Sequence, residues 1–204
     1  MARTVNHEQK QLRREAITSA AAVLFAKQGF TETSTADIAK AAGISTGSLF
    51  YYYPDKAAIF RGIFEQDIPE STQLFEAHAQ SDDPAQSILE VVATLANPAR
   101  DEVAPGLLVE LLRRAGNDPQ LMEIVVANEA IVQDGLESLI RRAAAKGDLD
   151  EGLDPAEAAA WIRKIIDAVY LDAGERDDDP IPMLRLIISR FLGIDTAPKT
   201  RRHV

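Results

Sequence analysis

Ser45, Thr46, Gly47, Ser48, Tyr51 and Tyr52 put three small hydroxyls, a glycine and two phenols into eight consecutive residues, with Pro54 and Lys56 just behind them. These groups suit recognition of a phosphate-rich surface. Small hydroxyls beside the free N–H groups of a helix's first turn hydrogen-bond phosphate oxygens. Phenols reach a phosphate or lay a ring face on a thymine methyl. A glycine inside a helix costs about 0.8–1 kcal/mol relative to alanine. At Gly47 the missing Cβ lets the helix end come close to another backbone. The plainer alternative is a helical hairpin whose tyrosines pack on their neighbours.

Two short helices must present that set. Ile38, Ala39 and Ala42 give residues 35–42 an apolar stripe, and Thr35 can lend its hydroxyl to the helix start. Gly43 supplies the permissive backbone that ends this helix, and Ile44 turns back toward the core. Ser45 then caps a second helix over residues 46–53, stopped by Pro54. Leu49 and Tyr53 lie four apart and point inward with Ile38 and Ala42, which leaves Gly47, Ser48, Tyr51 and Tyr52 on the other side. Helix, glycine turn, helix is the arrangement that lays a second helix in a DNA major groove.

These residues resemble the DNA-binding domain of the TetR family of transcriptional regulators. The match runs through Thr35, Ile38-Ala39, Ala42-Gly43-Ile44-Ser45, Gly47-x-Leu49-Phe50-x-x-Tyr53 and Lys56, with an upstream helix ending Phe25-Ala26-Lys27-Gln28-Gly29-Phe30. Phe50 stands where the family has Tyr, so it brings no hydroxyl. The resemblance implies phosphate contacts from Thr35 and Lys56, base-edge or backbone contacts from Thr46, Gly47 and Ser48, and groove-wall contacts from Tyr51 and Tyr52. It also implies a small-molecule effector, a homodimer and operator double-stranded DNA as partner.

Charge divides along the same line. Residues 1–64 hold eight Lys/Arg against five Asp/Glu, a net of +3, while the whole chain carries −10, leaving −13 for the rest. That balance suits docking on nucleic acid by one face. There are no cysteines, so no disulfide and no thiolate metal site or nucleophile, and His7, His78 and His203 are too widely spaced to pair on a metal. No metal and no cofactor are expected. No apolar run approaches the ~18–20 residues of a membrane span, and the polar N-terminus lacks a signal-peptide core, which predicts a cytoplasmic chain.

The remaining chain reads as helices punctuated by Asp-Pro at 83–84, 118–119, 154–155 and 179–180, each a cap followed by a favoured first helical residue. The expected fold is all-α: a three-helix helix-turn-helix domain over residues 1–54, a helical ligand-binding and dimerisation bundle over 55–195, and a disordered tail over 196–204. About nine helices are expected, near residues 8–28, 35–42, 46–53, 55–79, 84–96, 101–115, 119–146, 155–173 and 181–193, with Pro69 kinking or breaking the fourth. Ile162, Ile165, Ile166 and Val169 form one stripe. The last helix, with Leu184, Ile187, Ile188 and Phe191, is apolar nearly all round and calls for a second subunit. Candidate effector-lining groups are Phe64, Phe75, Leu95, Leu111, Met122, Trp161 and Tyr170, with Glu110, Arg113, Arg114 and Glu129 able to orient a polar ligand. The favoured reading is a dimeric, ligand-responsive repressor. The alternatives are a helical ligand- or protein-binding module without DNA activity, and an enzyme using the acids at 82–83 or 177–179. Helix caps account for those acids without catalysis.

Overall fold

The computed structural model describes residues 2–172 and 178–194, with side chains from Gln9 onward. The described residues form ten α-helices, one short 3-10 helix and no strand.

Local chemistry sets most boundaries. The first helix, α1 (Ala2–Glu32), is interrupted at Gly29, whose φ of 82° takes the chain out of helical geometry. The second, α2 (Thr35–Ala41), is capped by Ser34 and not by Thr35. Ser34 Oγ accepts the Asp37 N–H at 3.1 Å, and the Asp37 carboxylate accepts the Ser34 N–H at 3.1 Å. This two-way cap holds the Asp37 carboxyl below the usual carboxylate range through its bonds to Ser34. Gly43, at φ 67°, ends α2, with the Gly43 N–H on the Lys40 carbonyl and the Ile44 N–H on the Ala39 carbonyl. Ser45 Oγ accepts the Ser48 N–H at 3.1 Å to start α3 (Thr46–Tyr52), which gives way to extended backbone at Tyr53 ahead of Pro54.

The expected single helix over 55–79 is two, α4 (Lys56–Glu65) and α5 (Asp67–His78). The break sits at Gln66, three residues before Pro69. Pro69 has no N–H for the Glu65 carbonyl and its ring crowds that oxygen, so the helix restarts with proline in its first turn. Then come α6 (Pro84–Ala96), the 3-10 turn Asn97–Arg100, α7 (Val103–Arg114), α8 (Pro119–Ala145), α9 (Pro155–Asp172) and α10 (Ile181–Leu192). Asp83, Asp118 and Asp154 accept the N–H groups of Gln86, Leu121 and Glu157 at 3.0, 3.1 and 2.8 Å. At the fourth Asp-Pro the cap position falls on Pro180 instead, and Asp179 accepts the Ile181 N–H at 3.1 Å.

The chain divides into two compact units, Met1–Ser71 with Asp101–Glu129, and Thr72–Arg100 with Ala130–Val204. In this division α4, α7 and the start of α8 belong with the first unit. The expected tail at 196–204 lies outside the described residues. In the first unit Ile17, Phe25, Ile38, Leu49, Ile59, Phe60 and Leu121 form a fully buried core. Its α1 and α7 cross closely at Gly106, where a Cβ would stand 2.7 Å from the Ala26 carbonyl oxygen. In the second unit α6, α8, α9 and α10 enclose Ile88, Val92, Leu136, Ile140, Ile162 and Leu184.

The eight residues expected at a subunit interface separate. Ile162, Ile166, Leu184 and Ile188 are buried in the second unit's own core, and Ile165, Val169 and Phe191 pack against it. Ile187 stays outside, 44% exposed, in company with Trp161, Leu171, Met183 and Leu186. A helix apolar nearly all round offers several inward faces. Packing on α6 and α9 selects the one through Leu184, Ile188 and Leu192.

Candidate nucleic-acid interface

The recognition surface is built on a fixed floor. Leu49 and Tyr53 are buried with Ile38 and Ala39 beneath α3. Arg14 donates to the Tyr52 carbonyl at 3.0 Å and its guanidinium lies 4.2 Å from the Tyr53 ring centroid, which ties the end of α3 to α1. Gly62 leaves room for that ring, since a Cβ there would stand 2.8 Å from it. Burial raises the Tyr53 hydroxyl above the ordinary phenol range, so Tyr53 serves as core. By sequence alone Arg14 is one of the eight cations of residues 1–64. Its role depends on a contact across 38 residues that no local pattern signals.

Above this floor Gly47, Phe50 and Tyr51 are free of the core, whereas Tyr52 packs partly on it. Tyr51 is 72% and Phe50 48% exposed, and nothing crowds Gly47, whose nearest neighbour for an added Cβ is the Ser45 hydroxyl at 3.9 Å. Tyr52 is half-buried, edge-on to Tyr51 with ring centroids 5.1 Å apart. Thr46 and Ser48 are half-buried in the first turn of α3, and Thr35 is half-buried at the start of α2. The structure therefore brings Ser45, Thr46, Gly47, Ser48, Tyr51 and Tyr52 together on one capped helix.

Lys56 is the exception among the expected contacts. Its ammonium donates to the carbonyls of Phe30, Thr31 and Thr33 at 2.6, 3.2 and 2.7 Å and sits 4.4 Å from the Phe30 ring centroid. Three donors on three carbonyls leave no N–H for a phosphate. Burial, then the Arg114 charge, pull its pKa below the usual lysine value. Lys56 thus closes the frayed carbonyl end of α1. Lys56→Met is expected to destabilise the first unit by about 1 kcal/mol, the cost of leaving two part-buried carbonyls without their charged donor, and to leave the salt dependence of DNA binding unchanged. Thermal unfolding and salt titration check this; a phosphate role would instead lower the salt slope by about 0.9 at unchanged stability.

Residues 17–63, which hold α2, α3, the second half of α1 and most of α4, match the model for bacterial regulatory proteins of the tetR family. Over these residues the chain carries a TetR-family DNA-binding domain. It is similar to the transcriptional regulator UidR of Escherichia coli K12, 24% identical over 164 residues that cover 80% of this chain and 83% of UidR. In fold it is similar to GusR of Salmonella enterica, at a TM-score of 0.68 and 24% identity over 89% of this chain and 95% of that one. It is also similar to Bacillus subtilis FadR, solved in complex with stearoyl-CoA, at 0.72 and 18% over 87% and 97%.

The expected effector-lining residues are shared between the two units. Phe64, Leu111 and Met122 belong to the first unit, and Phe75, Leu95, Trp161 and Tyr170 to the second. Trp161 is 49% exposed with the Lys164 ammonium 4.5 Å from its ring centroid. The Tyr170 hydroxyl donates to the Leu95 carbonyl at 2.7 Å, and the Phe75 ring lies on Gly135. An open concavity of about 870 Å³ in the second unit, lined by Gln86, Leu89, Asp150, Arg185 and Ser189 among others, contains none of the seven. Glu110 and Arg114 are likewise committed. The buried Glu110 carboxylate accepts the Phe30 N–H at 2.9 Å and pairs with Arg113 at 2.6 Å. Arg114 covers the Phe30 ring at 3.6 Å and, with Arg61, holds Asp118. Of the acids at 82–83 and 177–179, Asp83 caps α6 and Asp179 accepts the Ile181 N–H and pairs with Arg100, while Asp177 lies outside the described residues. Among the described residues no three His, Asp or Glu are grouped to hold a metal, and no helix is long and apolar enough to cross a membrane.

Proposed function

We propose that this chain is a dimeric transcriptional regulator, a repressor that leaves operator DNA when a small molecule binds within its helical bundle. The observation that carries the reading is the α3 surface. It is a capped seven-residue helix with an open glycine in its first turn and an exposed tyrosine edge, fixed to α1 by Arg14 and by Leu49 and Tyr53. A rigid helix with short hydroxyls at its N-terminal end fits the major groove, and short side chains leave part of the specificity to DNA shape. The +3 charge of residues 1–64 against −13 elsewhere orients that end toward nucleic acid.

Two further features support assembly and switching. The exposed apolar residues of α9 and α10 give a second copy something to cover, and two-fold symmetry matches paired half-sites. FadR, which shares the fold, is known in complex with stearoyl-CoA. Family resemblance thus supports a small-molecule effector here, whose release of DNA is bounded by its differential affinity for the two states. A gel-shift with duplex DNA from around the protein's own coding region tests the reading. A specific complex that survives excess random-sequence competitor is expected; binding no tighter than to the competitor would favour a helical ligand- or protein-binding module.

A further inference from the structure

The N-terminal half of α1 extends well past the core it belongs to. The first core residue on α1 is Ile17, whereas the helix begins at Ala2, and every residue from Gln9 to Arg13 is exposed. From Ala2 to Arg13 this is about 18 Å of helix at 1.5 Å per residue. Residues 9–13 have no buried face and are marginal as helix in water on propensity alone, so a partner surface is the expected use. Beside them, α3 adds a wall. Gln9, Lys10, Leu12 and Arg13 from α1 and Tyr51 and Tyr52 from α3 enclose an open groove of about 520 Å³. Its lining holds two cations and no acid, and among the described residues neither Lys10 nor Arg13 is ion-paired. The Lys10 ammonium stands 5.6 Å from the Tyr51 ring centroid, so the cation and the most exposed aromatic of α3 share one rim.

We propose that this groove is a second nucleic-acid contact site, which seats the sugar–phosphate backbone of the DNA strand flanking the groove entered by α3. It rests on the DNA-binding reading above. Lys10 and Arg13 supply charge to phosphate oxygens, Arg13 through its fork geometry. Tyr51 divides the two surfaces, with one edge toward the bases and the other toward the backbone. The occupant follows from charge and from continuity: a basic concavity without an acid, contiguous with a DNA-reading helix, is complementary to a polyanion that is already adjacent. Arg14 takes no part, being spent on Tyr52 and Tyr53. Contacts of this kind position the protein and carry no base information.

The test is Lys10→Ala with Arg13→Ala in the full chain, titrated against duplex from its own promoter region and against random-sequence duplex over a salt series. The plot of log affinity against log salt should flatten by about 1.8 for each protomer bound, which at 0.1 M salt is about a 60-fold loss. The loss should be equal on both duplexes, the helical circular dichroism should stay unchanged, and Lys10→Arg with Arg13→Lys should restore affinity. An unchanged slope in the alanine variant, or a loss confined to the promoter duplex, overturns the backbone site while leaving DNA binding by α3 intact. If wild type binds neither duplex, both readings fall together.

Discussion

Gly47→Glu is expected to abolish specific DNA binding, with at least a hundredfold loss, while the protein stays as stable as wild type. The two halves of that statement have separate physical causes. A Cβ at position 47 meets nothing closer than the Ser45 hydroxyl at 3.9 Å, and the backbone there is ordinary helix. Replacing glycine in a helix even gains a few tenths of a kcal/mol. The folded monomer therefore tolerates the change. In the complex, however, a carboxylate would stand in the first turn of α3, where the helix end faces phosphates, and like-charge juxtaposition at an interface costs several kcal/mol. Gel-shift titration and thermal unfolding on the same sample check both halves. Equal DNA affinity at physiological salt would remove α3 from the interface. Tyr51→Ala is the matching aromatic deletion, because Tyr51 is 72% exposed. Tyr52 partly packs on the core, so its loss would mix folding with recognition.

Met183→Glu with Ile187→Glu should convert a micromolar dimer into a monomer of unchanged helicity. Both residues are on α10, 53% and 44% exposed, four apart and hence on one face, beside the run Leu184, Ile188 and Leu192 that fills the core. Charges there cost the isolated chain little, yet they would be buried unpaired against a second copy. With the dimer lost, binding to two half-sites loses its avidity, commonly a factor of 10²–10⁴. Sedimentation of wild type and variant, followed by DNA titration, reads both effects. A monomeric wild type at micromolar concentration would refute the assembly. Phe191→Lys is a poorer probe than its sequence position promises, since Phe191 packs on the second unit's own core and its loss would damage the fold.

The sequence by itself determined what depends on neighbours a few residues apart. The turn at Gly43, the cap at Ser45, the Asp-Pro helix starts and the inward pair Leu49 and Tyr53 are all local, because hydrogen-bond closure and 3.6-residue periodicity act within one or two turns. The same range explains the near misses. Thr35 and Ser34 are equally able to cap, and only the actual chain path, with Asp37 reaching back to Ser34, chose between them. Pro69 was legible as a break, but where the preceding helix would stop was not.

Tertiary structure decided whatever depends on contacts between distant residues. Lys56 looks like a phosphate ligand by its place after α3, yet three carbonyls from residues 30–33 take its donors. Glu110 looks like a ligand-orienting acid, yet it closes on the Phe30 N–H across 80 residues. The apolar stripe of α10 shows that faces must be covered, and only packing against α6 and α9 tells which are covered by the chain itself. Hydrophobic burial is non-directional, so composition counts the apolar residues to be buried, and the fold alone assigns each of them a side.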